Sequence, residues 1–426
     1  MWTFAKPHFE MYVPIIDRWN QSTTPKVDLR MLGLVPLERR MLASFMSGTP
    51  SADLIEVERR VAARAFAGPV DSVGFLDLTE EMRKRGLLEI LNPPSLSPWT
   101  SRGRIFGLPH DVHPVMLGYR ADLVEAAGID VSQIHTWDDL ARVMAPLMAD
   151  KDGDGQPDRY LINMWDNHED HLELLLLQAG GAYFDENERP VIDSPQNAHV
   201  LAKVVSWCHG PDRIAADAPD FMASGNKLKA DGYVVCTFMP DWMCDVWKHE
   251  LPSLAGKIKL MPLPAWSPTG RRTSVWGGTM LGIPRTAARS QADVDELMTF
   301  AEHLYISLDL ARELYRAGGI ITPVRPHWSD PVFDEPDPYF CGQSPGRMYI
   351  NMAPHVPPRT ASPYNVFAKM RVMDALVKLS AEAKQTKTWD LAALETIAIR
   401  HLRSAQRQVE AQLDSNVFLR KDGAGG

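Results

Sequence analysis

Strand-like and helix-like segments alternate along this chain, and that alternation narrows the fold more than any other feature. Met11, Ile15, Ile16 and Trp19 recur at helical spacing within His8 to Asn20. A strand pattern follows over Val27 to Leu34, a helix over Leu37 to Met46, a short buried strand over Ala52 to Val57 and a further helix through Ala65. Strands separated by helices pair in parallel, so the expectation is an α/β lobe with its sheet covered by helices. At 426 residues the chain exceeds one such lobe, since domains run to roughly 100 to 200 residues. Its 45% hydrophobic and 23% charged residues supply ordinary globular cores, which excludes a disordered or collagen-like chain.

The pattern continues through a strand at Val115 to Tyr119, a helix opened by Thr136-Trp137-Asp138-Asp139, a strand at Tyr160 to Met164 and a helix over Asp170 to Ala179. Thr136 with Asp139 three residues on is close to a capping box. Val234 to Met239 and Lys257 to Pro262 read as strands; Gln291 to Ala317 and Pro363 to Asp414 read as helical. Between them, Ile321 to Pro358 carries nine prolines in 38 positions and is expected to be a long irregular connection that lines a site or joins lobes.

Several functions are excluded or weakened at this level. A formal net charge of −9 without a basic tract is a poor match for nucleic acid or anionic lipid. Apolar stretches such as Tyr233 to Met239 fall far short of the roughly 20 residues of a spanning helix. The cysteines, Cys208, Cys236, Cys244 and Cys341, show no CxxC spacing, so no zinc ribbon or dithiol motif is indicated. No GxxxxGK[ST], GxGxxG or HExxH motif occurs. Gly342-Gln343-Ser344-Pro345-Gly346 matches the GxSxG nucleophile elbow in form, but Pro345 has no N–H to give an oxyanion, so it reads as a chance match in a loop. In His168, Glu169, His171 and Glu173 the i, i+3 histidines could share a metal. With no third ligand motif nearby, a solvated first helical turn is the expectation.

The most specific local motif is Asp150-Lys151-Asp152-Gly153-Asp154-Gly155-Gln156-Pro157-Asp158. Carboxylates at relative positions 1, 3, 5 and 9, a glycine at 6 and the Gln156 carbonyl at 7 follow the first nine places of an EF-hand loop, a spacing of oxygen ligands that suits Ca2+. Leu161 stands at position 12 instead of the bidentate Glu. Two readings stay open: a structural calcium site on Asp150, Asp152, Asp154, Gln156 and Asp158, or a polar Asp/Gly turn. No other cofactor is expected.

Longer segments carry a resemblance. Gly107-Leu108-Pro109-His110-Asp111 running into Pro114 to Leu123, then Ala127-Gly128-Ile129 and Thr136 to Leu140, resemble the family 1 extracellular solute-binding proteins of carbohydrate ABC importers. Ala52 to Glu56, Pro240-Asp241-Trp242, Trp276-Gly277-Gly278 with Leu281 to Pro284, and Gly318 to Pro323 match further segments in the same order. The resemblance implies a two-lobed type II periplasmic-binding fold with hinge crossings and a helical C-terminal region. It divides the chain into an N-terminal lobe (1–113 and 278–322) and a C-terminal lobe (114–277 and 323–426) that close on a sugar. It also implies a monomeric receptor that captures a mono- or short oligosaccharide, acidic or neutral, and delivers it to membrane permease subunits. That implies a periplasmic or extracellular location, with the leader absent from a chain that opens Met1-Trp2-Thr3-Phe4-Ala5 like a strand. A carbohydrate-active enzyme such as a glycoside hydrolase is the alternative from another class.

In such lobes ligands sit beyond the carboxyl ends of strands. Trp165, Trp242 and Trp276 end or follow expected strands and are candidates for stacking on a sugar, with Gly277 and Gly278 allowing close approach to the backbone. Asp111 at the hinge would accept sugar hydroxyls, or else form a hinge salt bridge. Lys6 and His8 follow the first strand and Glu58 the third, and are further ligand-binding candidates, with a helix cap for His8 and a solvated helix face for Glu58 as the alternatives. Arg347 and Arg359 lie in the late Pro-rich region, where a guanidinium could bind sugar oxygens or an acidic substituent bidentately, with surface exposure the alternative for Arg359.

Overall fold

The computed structural model describes residues 1–150 and 153–415. Two large sheets divide them, beside a two-stranded ribbon of Thr100–Ser101 and Arg104–Ile105. The first is ordered Arg30–Met31, Trp2–Thr3, Ile55–Glu58, Thr279–Gly282, Leu108–Pro109. Trp2–Thr3 runs parallel to both of its neighbours, and Thr279–Gly282 is inserted antiparallel between Ile55–Glu58 and Leu108–Pro109. The second is ordered Ile258–Pro262, Pro114–Arg120, Val234–Pro240, Tyr160–Asn163, Ala215–Ala216, with Ser274–Val275 paired beside Pro114–Arg120. Pro114–Arg120 and Val234–Pro240 are buried at every position, as expected of central strands covered on both faces. The two sheets with their helices form two α/β lobes, as the expected fold class requires.

The first helix, Lys6–Ser22, packs Met11, Tyr12, Ile15 and Ile16 onto the first sheet's core and continues through Pro14. Thr136 caps Trp137–Met144 in a reciprocal capping box with Asp139. Other elements differ from the sequence expectation for local reasons. Val27 to Leu34 pairs only at Arg30–Met31, an exposed two-residue edge strand. Gln291 to Ala317 is two helices, Gln291–Tyr305 and Leu308–Gly318, because Ser307 caps a new start by accepting the Leu310 N–H. The Pro-rich connection holds a helix, Pro345–Met352, with Ser344 at its N-cap and Pro345 in its first turn, where a missing N–H costs nothing.

The C-terminal region is a hairpin of two helices, Asn365–Thr386 and Leu391–Asp414, and not a single rod. Lys387 ends the first in the left-handed region at φ 55° and Asp390 caps the second. Val372, Leu376, Leu379, Leu394, Leu402 and Val409 are buried with Val200, Leu201 and Val204 of Pro195–His209, so the hairpin completes the second lobe's core. Among the described residues no helix is long and apolar enough to cross a membrane. Leu402→Ala, at a position with no exposure, should destabilise the protein by about 2–5 kcal/mol in urea unfolding. A loss within a few tenths of a kcal/mol would mean that the hairpin is not part of the cooperative core.

Candidate functional site

The mutually parallel strands of both sheets direct their carboxyl ends at one junction, and the antiparallel Pro114–Arg120 and Thr279–Gly282 reach it with their amino ends. In the first lobe that edge carries Phe4, Glu58 and His110; in the second it carries His113, Met164, Asp217 and Asp241. The chain passes between the lobes around Val112, Gly277 and Ile321, and these crossings are bonded to one another. The Val112 N–H donates to the Ile321 carbonyl (3.1 Å) and the Trp276 N–H to the His113 carbonyl (3.3 Å).

Asp241 ties the junction together. Its Oδ1 accepts from Nδ1 of His113 (2.8 Å) and from the Trp242 N–H (2.9 Å), and its Oδ2 accepts from the Ile321 N–H (2.8 Å). The other ring nitrogen of His113, Nε2, meets Oδ2 of Asp111 (3.1 Å), and the same oxygen faces His110 Nδ1 (3.1 Å). Burial alone would lower the His113 imidazole, but Asp111 and Asp241 outweigh it and raise it to about 10. Burial likewise works against the Asp111 carboxylate, yet His113 and His110 hold it far below the usual range. His113 is therefore an imidazolium between two carboxylates.

Backbone geometry fits this core closely. His113 itself is left-handed, at φ 55°. Gly277 lies at φ 115°, and a Cβ on it would stand 2.6 Å from His113 Cδ2; one on Gly278 (φ 124°) would stand 2.9 Å from Arg359 Nη2. Arg359 donates to the Gly277 carbonyl. Burial, helped by neighbouring Arg59, pushes Arg359 down to about 9.

Above the hinge the second lobe presents aromatic surface. Phe221, 57% exposed and left-handed at φ 60°, stacks on Trp242 with ring centres 6.1 Å apart and planes 13° apart. Trp242 meets Trp276 edge-on at 5.5 Å, and its Nε1 donates to the Trp276 carbonyl (2.9 Å). His171 stands edge-on to Trp276, with its Nε2 on Asp220 (2.9 Å). His168 adjoins it, with its Nε2 on Asp217 (2.9 Å). Polar groups thus rim an aromatic shelf. Across from it, Arg59 of the first lobe donates to Glu173 of the second (2.6 Å). Burial opposes the Glu173 charge, but Arg59, Lys369 and Arg359 hold its carboxyl at about 2.

The residues singled out from sequence fall into groups. Trp242, Trp276, Gly277, Gly278, Asp111 and Arg359 all lie at the junction, Asp111 in the hinge ion pairs. Arg359 is buried and not at the surface, because Pro358–Thr360 runs under Gly277. His8 is at the first lobe's edge, bonded to Glu56, and Glu58 is ion-paired with Arg60 beside the start of Thr279–Gly282. Lys6 is exposed and pairs with Glu10. Trp165 turns from the shelf, packing edge-on against His209 with Arg213 over its ring. Arg347 lies on the late connection, bonded to Asp334 and the Trp328 carbonyl.

The acidic loop precedes Tyr160–Asn163, at the end of that strand remote from the junction. Asp150 accepts the N–H groups of Gly153 (2.7 Å) and Gly155 (2.9 Å), Asp154 accepts that of Gln156 (2.7 Å), and Asp158 lies just before the strand. Asp152 lies outside the described residues. A cavity of about 570 Å3 is also remote, between Met1, Asp28, Leu54 and Phe300 at the amino ends of the first sheet. We place the site at the junction because the hinge, the aromatic shelf and the strand carboxyl ends coincide there. Phe221, Arg59 and Asp241 had no reading of their own as site residues, and Glu173 was read only within the His168–Glu173 polar cluster. Asp241, just before Trp242 at a strand end, carried a usable signal.

A family model described as bacterial extracellular solute-binding protein matches residues 34–336, and the chain belongs to that family. It is a family of binding proteins and not of enzymes. The chain is similar to the arabinooligosaccharide-binding protein of Halalkalibacterium halodurans, 24% identical over 347 residues that cover 80% of this chain and 74% of that one. It is also similar to the arabinooligosaccharide-binding protein of Bacillus subtilis, 23% identical over 310 residues, covering 71% and 68%. Among solved structures, an extracellular solute-binding protein of family 1 superposes with a TM-score of 0.74 at 18% identity, covering 95% of this chain and 98% of that one. The sugar-binding protein MalE of Xanthomonas citri superposes with a TM-score of 0.74 at 16% identity, covering 97% and 98%. These structural likenesses establish the fold.

Two outcomes follow from the hinge. His113→Gln breaks buried ion pairs and should cost about 3–5 kcal/mol at pH 7. The raised imidazole contributes stability in full below its unfolded value near 6.5, and loses it as pH rises through about 10. The difference between wild type and variant should therefore shrink in urea unfolding as pH goes from 7 to 10.5, and a constant difference would refute the charged hinge. Gly277→Ala, which forces both a left-handed alanine and a contact with His113, should cost about 1–3 kcal/mol by the same measurement.

Proposed function

We propose that this protein is the capture receptor of a carbohydrate importer of the ABC type, taking a short neutral oligosaccharide between its lobes. The observation that carries this reading is the shelf of Phe221, Trp242 and Trp276 rimmed by His171, Asp217 and Asp220. Aromatic faces cover the C–H patches of sugar rings, while fixed polar groups take up the hydroxyls, whose burial without partners is costly. The curated relatives' names, both arabinooligosaccharide-binding proteins, support an oligosaccharide ligand. A neutral ligand is favoured because the cations near the junction already have protein partners: Arg59 on Glu173, Lys6 on Glu10, Arg359 on the Gly277 carbonyl. On this reading the receptor acts as a monomer in the periplasm or outside the cell and hands its ligand to membrane permease subunits. The acidic loop adds a structural Ca2+ remote from the ligand, which would appear as a rise in melting temperature with Ca2+ that Asp150→Asn removes.

The test is calorimetric titration with arabino-oligosaccharides, maltodextrins and their monosaccharides, with chromatography of the recovered ligand. We expect binding of an oligosaccharide, recovered intact, and stabilisation of about 2.7 kcal/mol at a ligand concentration 100 times Kd. Trp242→Ala should weaken binding at least tenfold, about 1.4 kcal/mol. Cleaved ligand would replace the receptor with a hydrolase, and equal binding by Trp242→Ala would remove the shelf from the site.

A further inference from the structure

The first lobe contains a second constellation that carbohydrate capture does not use. His8, Glu56 and His110 each offer one ligand atom, and the three atoms lie within 4.8 Å of one another. His8 Nδ1 is 2.9 Å from Glu56 Oε1, a spacing that neighbouring ligands of one ion adopt. The imidazoles of His8 and His110 lie with ring centres 4.4 Å apart. His110 is 1% exposed, and its Nε2 is buried without any hydrogen-bond partner among the described residues. An orphaned buried nitrogen is costly, and a cation is one way to satisfy it.

The surroundings match those of metal ligands. His110 Nδ1 faces Asp111 Oδ2 (3.1 Å), the carboxylate–histidine arrangement that fixes the tautomer and leaves Nε2 as the coordinating atom. Glu56 is held by Thr3 Oγ1 on Oε1 (2.8 Å) and by the hydroxyls of Tyr12 and Tyr305 (2.6 Å for Tyr305) on Oε2. Those bonds can persist when a metal replaces the His8 contact, with the His8 proton moving to Nε2 or to solvent. Two imidazoles and one carboxylate select a divalent first-row transition cation over Ca2+ or Mg2+, and three protein ligands leave a position for water.

We propose that His8, Glu56 and His110 form a binding site for a divalent transition cation of the Zn2+ class. The ion joins the first helix, the third strand of the chain and the first hinge crossing, three segments distant in sequence. It stiffens the first lobe's edge of the cleft, whether or not a sugar is bound. The histidine pair of the second lobe is a weaker competitor. His168 and His171 face each other through Nδ1 (3.2 Å), but each spends Nε2 on an aspartate and, among the described residues, no third ligand converges with them.

The test is equilibrium dialysis of the chelator-stripped full chain against Zn2+, with metal analysis and far-UV circular dichroism. We expect one Zn2+ per chain, with an affinity on the order of tenfold or more weaker in His8→Gln and in His110→Gln, and unchanged in His168→Gln. His8 stands at the rim of the lobe in the first helical turn, so His8→Gln keeps the fold even if His110→Gln disturbs the hinge. No stoichiometric zinc in the wild type, wild-type affinity in a folded His8→Gln, or loss of zinc in His168→Gln would each overturn the proposal.

Discussion

The carboxylate of Asp241 and the imidazolium of His113 hold the molecule in register. Each lobe has its own sheet and core, and what relates them is a narrow junction of crossing strands whose polar groups are all buried. A buried imidazolium is expensive unless it is paired on both nitrogens, and here Asp111 and Asp241 provide the pairing from opposite sides. Asp241 also takes the Ile321 N–H, so one side chain fixes two crossings at once. The third is fixed through the Trp276 N–H and through Arg359 on the Gly277 carbonyl. The positive-φ glycines follow from this packing, since a side chain at Gly277 would displace the His113 ring and one at Gly278 would displace Arg359.

A hinge built in this way supplies what a receptor needs. In the proposed receptor the lobes turn about this junction, and the strand carboxyl ends open onto the space between them. The shelf of Phe221, Trp242 and Trp276 belongs to one lobe, while the Arg59–Glu173 bridge reaches from the other. The bridge contributes to holding the lobes together, and a ligand would add contacts made only when both walls are close. Affinity and closure are then the same free energy, and a ligand shifts the equilibrium only by its preference for the closed form.

Much of this was legible in the sequence. Alternating strand and helix patterns gave the α/β class because central strands buried on both faces read as short apolar runs. Thr136 and Asp139 announced a helix start that the structure forms as a capping box. The errors were of scale: Ser307 and Asp390 restart helices within long helical patterns, and Ser344-Pro345 starts one within a Pro-rich stretch. Trp242, Trp276 and the paired glycines stood where strand ends were expected. The hinge ion pairs were less legible, since Asp111, His113 and Asp241 meet across up to 130 positions of chain and no spacing rule brings them together. Phe221 was hidden in a loop, and its left-handed backbone gives no sign in a single sequence.

The central claim is that ligand binding closes the two lobes about this hinge. A spin label on the native, exposed Cys341 of the second lobe and another on Met46→Cys, at an exposed position on the first lobe's second helix, report that motion directly. The remaining cysteines, Cys208, Cys236 and Cys244, are buried and should not label. Pulsed electron resonance should show a broad distance distribution without ligand and a narrow, displaced one with a bound oligosaccharide. A distribution that the bound sugar leaves unmoved would contradict the account.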